Sequence, residues 1–194
     1  MDETTATDGG FGDLDKFEEF PKIFRLYRDI IVTEKIDGTN AQVCVNDTGT
    51  AVRAGSRNRW IVPGEDGFGF ASWVKAHETE LLALGPGRHF GEWWGAGIQR
   101  KYATHEKRLS LFNTSRWGDA STRPACCHVV PVLYQGPFSE EAIRACAERL
   151  RVEGSVASPG FMNPEGICVF HVQSNALFKW TPLDGDGHKG AKAR

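Results

Sequence analysis

The sequence has no apolar run long enough to cross a bilayer and no signal-peptide pattern, so nothing in it predicts membrane insertion or export. Net charge is nearly absent, since 23 Lys and Arg stand against 25 Asp and Glu, leaving −2. The chain-wide basic excess common among nucleic-acid binders is therefore missing, and any phosphate-binding surface must be a local patch. Cysteine is sparse and odd in number. Cys44, Cys126, Cys127, Cys146 and Cys168 include no CxxC spacing, which argues against a disulfide framework and for the reduced thiols of a cytoplasmic protein. Cys126-Cys127-His128 makes a poor zinc site, because neighbours along a strand point to opposite faces. There is no internal repeat and no coiled-coil heptad. The 194 residues suit one domain with a sizeable core.

What is present is a strand-rich pattern. Polar, Gly-rich residues 1–12 read as a flexible tail, 13–183 as one domain, and 184–194 as a polar C-terminal tail. Strand-like runs cover 28–35, 41–45, 50–62, 88–95, 108–113, 128–136, 166–172 and 176–180. Asp37-Gly38 between the first two predicts a hairpin. Pro131 puts its strand at an edge or a bulge. Phe70, Trp73, Val74, Leu81 and Leu84 recur at helical spacing, with His77 near the same stripe as a packing residue. Ser139 caps a second helix, with Glu140 and Glu141 in its first turn and Gly154 as its stop. These runs together predict a mixed α+β domain, largely antiparallel, with two docked helices.

Four charges interrupt or end apolar strands: Lys35, Glu92, Glu165 and Lys179. Each alone reads as a solvent-facing strand residue. Together, with opposite signs, they suggest a polar groove, because an unpaired buried charge is costly. Lysines suit phosphate oxygens, and carboxylates suit a divalent cation or its waters.

In order along the chain, "EKIDGTN", "GSRNRW", "FGEWWG", "LSLFN", "PEGICV" and "LFKW" resemble the motifs of the covalent nucleotidyltransferases, a superfamily of ligases and mRNA capping enzymes. The likeness is to its RNA ligase branch, related to the phage type 2 enzymes, and it rests on the ordered set between about residues 20 and 180. It implies the strand-rich, ATP-grasp-like nucleotidyltransferase domain of those ligases, with ATP and Mg²⁺ (or Mn²⁺) as cofactors. Lys35 would be the nucleophile that becomes adenylated, with Glu165 and Lys179 as its catalytic partners. Glu34 (through its backbone), Ile36, Asn40, Arg57, Glu92 and Phe112 would surround the nucleotide, Phe112 under the base, and Glu165 and Glu92 would serve the metal. Asn40 reads equally as an ordinary polar turn-end residue. Of Trp60, Trp93, Trp94 and Trp180, any could stack a base, but at least half are expected in the core.

The reaction implied is transfer of AMP from ATP to Lys35, then to a nucleic-acid 5′-phosphate, followed by sealing to a 3′-hydroxyl. RNA ends, or nicked nucleic acid, in a bacterial or phage-infected cytoplasm would be the partners, in a repair role. Two departures stand out. Relatives commonly carry two lysines in the last motif, whereas Leu177 precedes Lys179 at that interval; Lys189 is a candidate substitute. The chain also ends soon after that motif, which reads as a catalytic domain alone, and a partner could supply a further domain. Alternatives are a minimal DNA ligase, a GTP-using capping enzyme, or a degenerate domain that binds nucleotide or RNA ends without sealing.

Overall fold

A computed structural model describes residues 16–66 and 68–181, so the tails at 1–12 and 184–194, with Lys189, lie outside the described residues. In chain order the strands are β1 (Asp29–Lys35), β2 (Thr39–Val45), β3 (Val52–Gly55), β4 (Gly87–Gly95), β5 (Lys107–Leu111), β6 (Cys127–Val129), β7 (Val132–Pro137), β8 (Gly166–His171) and β9 (Ala176–Trp180). The helices are α1 (Phe70–Ala76), α2 (Glu78–Leu81), α3 (Thr114–Trp117) and α4 (Glu140–Glu153), and a 3₁₀ turn (Leu82–Leu84) follows α2.

The strands form two sheets, ordered β7-β1-β8-β9 and β3-β2-β4-β5-β6. Every pair is antiparallel except β5 with β6, which is parallel. Strand β1 sits inside the first sheet and is buried from Ile30 to Glu34, as its continuous apolar run requires. Helix α4 covers one face of that sheet, packing Cys146, Ala147 and Leu150 on Ile30, Val32, Ile167 and Val169. Its ends follow the sequence: Ser139 Oγ accepts the Ala142 N–H at 3.1 Å, and Gly154 closes it at φ 85°. The second sheet buries Ala41, Val43, Trp93, Leu109 and Leu111 against Phe70, Val74, Leu81 and Leu84. The mixed α+β, strand-rich class matches the expectation from the sequence.

Several local expectations change. The Asp37-Gly38 hairpin does not form. Strand β1 pairs with β7 and β8, and β2 pairs with β3 and β4, so the turn carries the chain from one sheet to the other. Gly38 is required there for closeness: a Cβ would lie 2.4 Å from the Trp93 carbonyl oxygen. Pro131 likewise marks a sheet change, because 128–136 splits into β6 in one sheet and β7 in the other. The run 50–62 keeps only β3, with Trp60 folded back to bridge Gly55. The first helix is broken at His77, whose Nδ1 bonds the Trp73 carbonyl at 2.9 Å. A short helix, α3, stands where a loop was expected, capped by Asn113.

Candidate active site

The two sheet-crossing segments bring the sequence-predicted charges together. Lys35 ends β1 opposite Gly166, and its Nζ is ion-paired with Glu165 Oε1. Glu165 directly precedes β8. Thr33, Cys168 and Lys179 lie side by side on the same face, because Thr33 pairs with Cys168 and Cys168 with Lys179. Glu92 comes from the second sheet, and its Oε1 accepts the Gly38 N–H at 3.1 Å. Asn40 pairs with Glu92 across β2 and β4, so both side chains share a face.

The electrostatics report one shared field. Burial raises the Glu92 carboxyl to about 7, the Gly38 bond and the Lys35 charge oppose that rise, and Glu165 and Asp37 add to it. The Cys168 thiol is pushed up by burial while sensing Lys35, Glu165, Glu92 and Lys179 together. Glu165 Oε2 is buried and has no hydrogen-bond partner. A carboxylate oxygen left orphaned is costly, and a cation or a nucleotide hydroxyl would satisfy it. The residues therefore fit a divalent cation. Among the described residues no group of three or more His, Cys, Asp or Glu is arranged to hold one, so phosphate oxygens and water would complete its shell, as Mg²⁺ favours.

The other predicted residues divide. Phe112 follows β5, is 38 % exposed, and donates its N–H to Phe90 at 2.9 Å, which leaves its ring available to a base. Ile36 is a core residue, packed with Trp94, Tyr102 and Val130, so its side chain cannot line a nucleotide pocket. The Glu34 side chain points to the opposite face, is buried, and accepts from Ser155 Oγ at 2.6 Å, Val156 N–H at 2.8 Å and Ala157 N–H at 2.9 Å. Burial raises its carboxyl despite these bonds. Its own N–H is engaged with the Pro131 carbonyl at 3.0 Å. Arg57 sits in the exposed turn after β3, and among the described residues it has no ion pair, whereas Lys35 and Glu165 pair with each other. Lys179 is exposed, and so is Leu177 two residues before it. Trp93 and Trp94 are buried, which fills the expected core share.

Sequence reasoning missed a buttress behind Lys35. Arg100 Nε donates to Asp37 Oδ2 at 3.0 Å, and its Nη1 donates to the Asn163 side-chain oxygen at 3.0 Å and the Asn163 carbonyl at 3.3 Å. One guanidinium thus ties the Lys35 loop to the Glu165 loop. The buried Tyr102 hydroxyl accepts the Asp37 N–H at 2.8 Å. The loop carrying both residues is unusual, because Gln99, Lys101, Tyr102 and Ala103 all have φ between 42° and 61°. Asp37 stood in a recognised motif and needed a cation; only the fold could say which. A hollow of about 510 Å³, lined among others by Trp73, His105 and Cys126, includes none of the clustered charges, so charge rather than volume marks the site.

The RNA ligase family profile matches residues 28–181. Among solved structures, a Naegleria gruberi RNA ligase mutant with ATP and manganese superposes with TM-score 0.61 at 18 % identity, covering 80 % of this chain and 50 % of that one. A second mutant of that ligase, without ligand, gives 0.62 at 18 %, covering 81 % and 50 %, and a third, with AMP and manganese, gives 0.61 at 17 %, covering 82 % and 51 %. No curated protein sequence matches. This chain spans about half the length of the solved structures it resembles. With the RNA ligase family profile matching residues 28–181 and the fold shared with those solved ligases, the chain belongs to the RNA ligase family.

Proposed function

We propose that this chain is the adenylation domain of an ATP-dependent RNA ligase, forming a lysyl-AMP intermediate on Lys35. The observation that carries this reading is the Lys35–Glu165 ion pair at the mouth of β1, with Glu92 and Lys179 in the same field. The ATP or AMP bound with manganese in the solved ligases supports the choice of nucleotide and of a divalent ion.

The amine must first lose a proton, and Glu165 Oε1 is the acceptor in contact with it. The Lys35 Nζ lone pair then forms a P–N bond to the α-phosphorus of ATP. The bond from that phosphorus to the bridging oxygen breaks, and pyrophosphate leaves. Lys179 sits two strand pairings from Thr33, on the same face as Lys35 two residues on, and supplies positive charge to the phosphate oxygens. Glu165 Oε2 and Glu92 would hold a divalent cation, which when bound neutralises charge on the phosphates. Asn40 and Glu92 face the ribose side, and Phe112 stacks the base. Arg100 and Tyr102 hold the Asp37-Gly38 turn, so that Lys35 meets the phosphorus from a fixed direction. In the later steps the 5′-phosphate of RNA takes the AMP and a 3′-hydroxyl displaces it.

Leu177 favours a second reading. It occupies the position where relatives commonly place another lysine, and it is 65 % exposed on the Lys179 face. A domain with one phosphate cation could bind nucleotide without sealing. Incubation with α-labelled ATP and Mg²⁺, followed by denaturing electrophoresis, separates the readings. Label on the wild-type chain supports the lysyl-AMP intermediate, and sealing of 5′-phosphorylated RNA supports the full reaction. No label under any divalent ion would leave nucleotide binding alone.

A further inference from the structure

The groove-facing side of the second sheet continues well past the reaction centre. From Glu92, alternate residues back along β4 are Phe90 and Arg88, and their β2 neighbours on that face are Gln42 and Cys44. Cys44 pairs with Arg53 and Gln42 with Gly55 on β3. Gly55 lacks the side chain that would fill this face, and Trp60 lies there instead: a Cβ on Gly55 would come within 3.2 Å of the indole. The guanidinium carbons of Arg53 and Arg88 stand 4.6 Å and 5.5 Å from the Trp60 ring centroid. Phe90 is 48 % exposed and Trp60 36 %. From Glu92 to Arg88 is four strand residues, about 13 Å.

Beyond Glu92 the charge on this face is positive, and among the described residues it is not ion-paired. Arg53 and Arg88 make no ion pair among the described residues, nor do Arg57 and Arg59 in the adjoining turn; Arg100, Arg108, Arg144, Arg149 and Arg151 are ion-paired, Arg116 and Arg123 donate to backbone carbonyls instead, and Arg25 and Arg28 stand apart before β1. A chain of net charge −2 has thus gathered free guanidinium groups beside exposed aromatic rings. Beneath them, Gln42 is 7 % exposed and its amide nitrogen has no partner, a donor awaiting an acceptor. Alternating cations and ring faces suit a flexible polyanion that carries its own rings. A folded protein partner would call for matching carboxylates and a larger dry apolar centre.

Resting on the ligase reading above, we propose that this face is the track for a single-stranded RNA segment leading into the reaction centre. Phe90 and Trp60 stack bases, and Arg53 and Arg88 meet backbone phosphates. The track spans about four stacked nucleotides at roughly 3.4 Å each.

The test uses the full chain and a short fluorescent 5′-phosphorylated oligoribonucleotide, with binding followed by anisotropy over a salt series and labelled-ATP self-adenylation measured in parallel. Arg53→Ala with Arg88→Ala should flatten the slope of log affinity against log salt by about 1.4, or about 0.7 for each lost phosphate contact. Trp60→Ala should weaken binding about tenfold, and Trp60→Phe should restore most of it. Self-adenylation should stay within about twofold of wild type in all three variants. An unchanged affinity and slope in the double variant would place the RNA elsewhere, and a preference for the matching DNA strand would overturn the RNA assignment. Equal losses of RNA binding and self-adenylation would mean that the face serves the nucleotide or the fold. If the wild-type chain takes no label yet its RNA binding still responds to these variants, the ligase reading fails and the track stands.

Discussion

The two sheets divide the labour unequally. The smaller, β7-β1-β8-β9, carries Lys35, Lys179 and, just before β8, Glu165, with its other face sealed by α4. The larger, β3-β2-β4-β5-β6, contributes one carboxylate, Glu92, and then exposed aromatics and the arginines Arg53 and Arg88, which have no ion pair among the described residues. Lys35, the proposed nucleophile, ends a strand whose backbone is buried and paired on both sides, so its position is fixed by two ladders. The proposed RNA track lies on a broad face that water reaches. A reacting atom tolerates little displacement, whereas a stacked base tolerates more, and the rigidity of each sheet matches its task.

This division can be broken from the chemical side first. Lys35→Ala should abolish covalent AMP labelling while leaving circular dichroism and melting intact; residual label at the wild-type level would place the nucleophile elsewhere. Next in size, Lys179→Ala should slow single-turnover adenylation by about 10²–10³, because one charge-assisted contact to a developing phosphate charge is lost. A rate within about twofold of wild type would hand that role to another cation.

The link between the sheets is the next target. Arg100→Ala should slow adenylation about tenfold with little change in melting temperature, since it loosens the Asp37 and Asn163 loops rather than the core. Combined with Asp37→Asn it should cost no more than Arg100→Ala alone, because the arginine variant already removes the Asp37 contact together with those to Asn163. Additive losses would mean that the two residues act separately.

The smallest effect concerns Glu92. Its carboxyl lies at about 7 in the fold against an ordinary 4.5, so the folded chain holds that proton more tightly than the unfolded one. Stability from this group is therefore present below about 4.5 and is lost as pH rises through about 7. Glu92→Gln keeps an acceptor for Gly38 and removes the titration. Its melting temperature should rise relative to wild type by a few degrees across that window and run parallel above it. A constant difference from acid to alkaline pH would locate the titration in another group.

The placement of Lys35, Glu92, Glu165 and Lys179 in one site was legible because charges inside apolar strands have few tolerable surroundings, and the ordered motifs named their company. Phe112 came from the same order. A motif position does not say which way its side chain points, and the turn after β1 sends that of Ile36 into the core beside Trp94. Arg100 was invisible because its partners, Asp37 and Asn163, are 63 residues away on either side. No local pattern encodes a contact at that separation.

The sequence by itself determined the strand-rich class, the extent and caps of α4, and the identity of the clustered charges, because these follow from side-chain periodicity and from the cost of burying charge. The tertiary structure alone decided that the Asp37-Gly38 turn and Pro131 carry the chain between sheets. An Asp-Gly turn is compatible with either a hairpin or a crossing, and the choice falls to which neighbours offer the backbone its hydrogen bonds. Here β7 and β8 claim β1, while β3 and β4 claim β2, and the gap they leave between the sheets is where the charges meet.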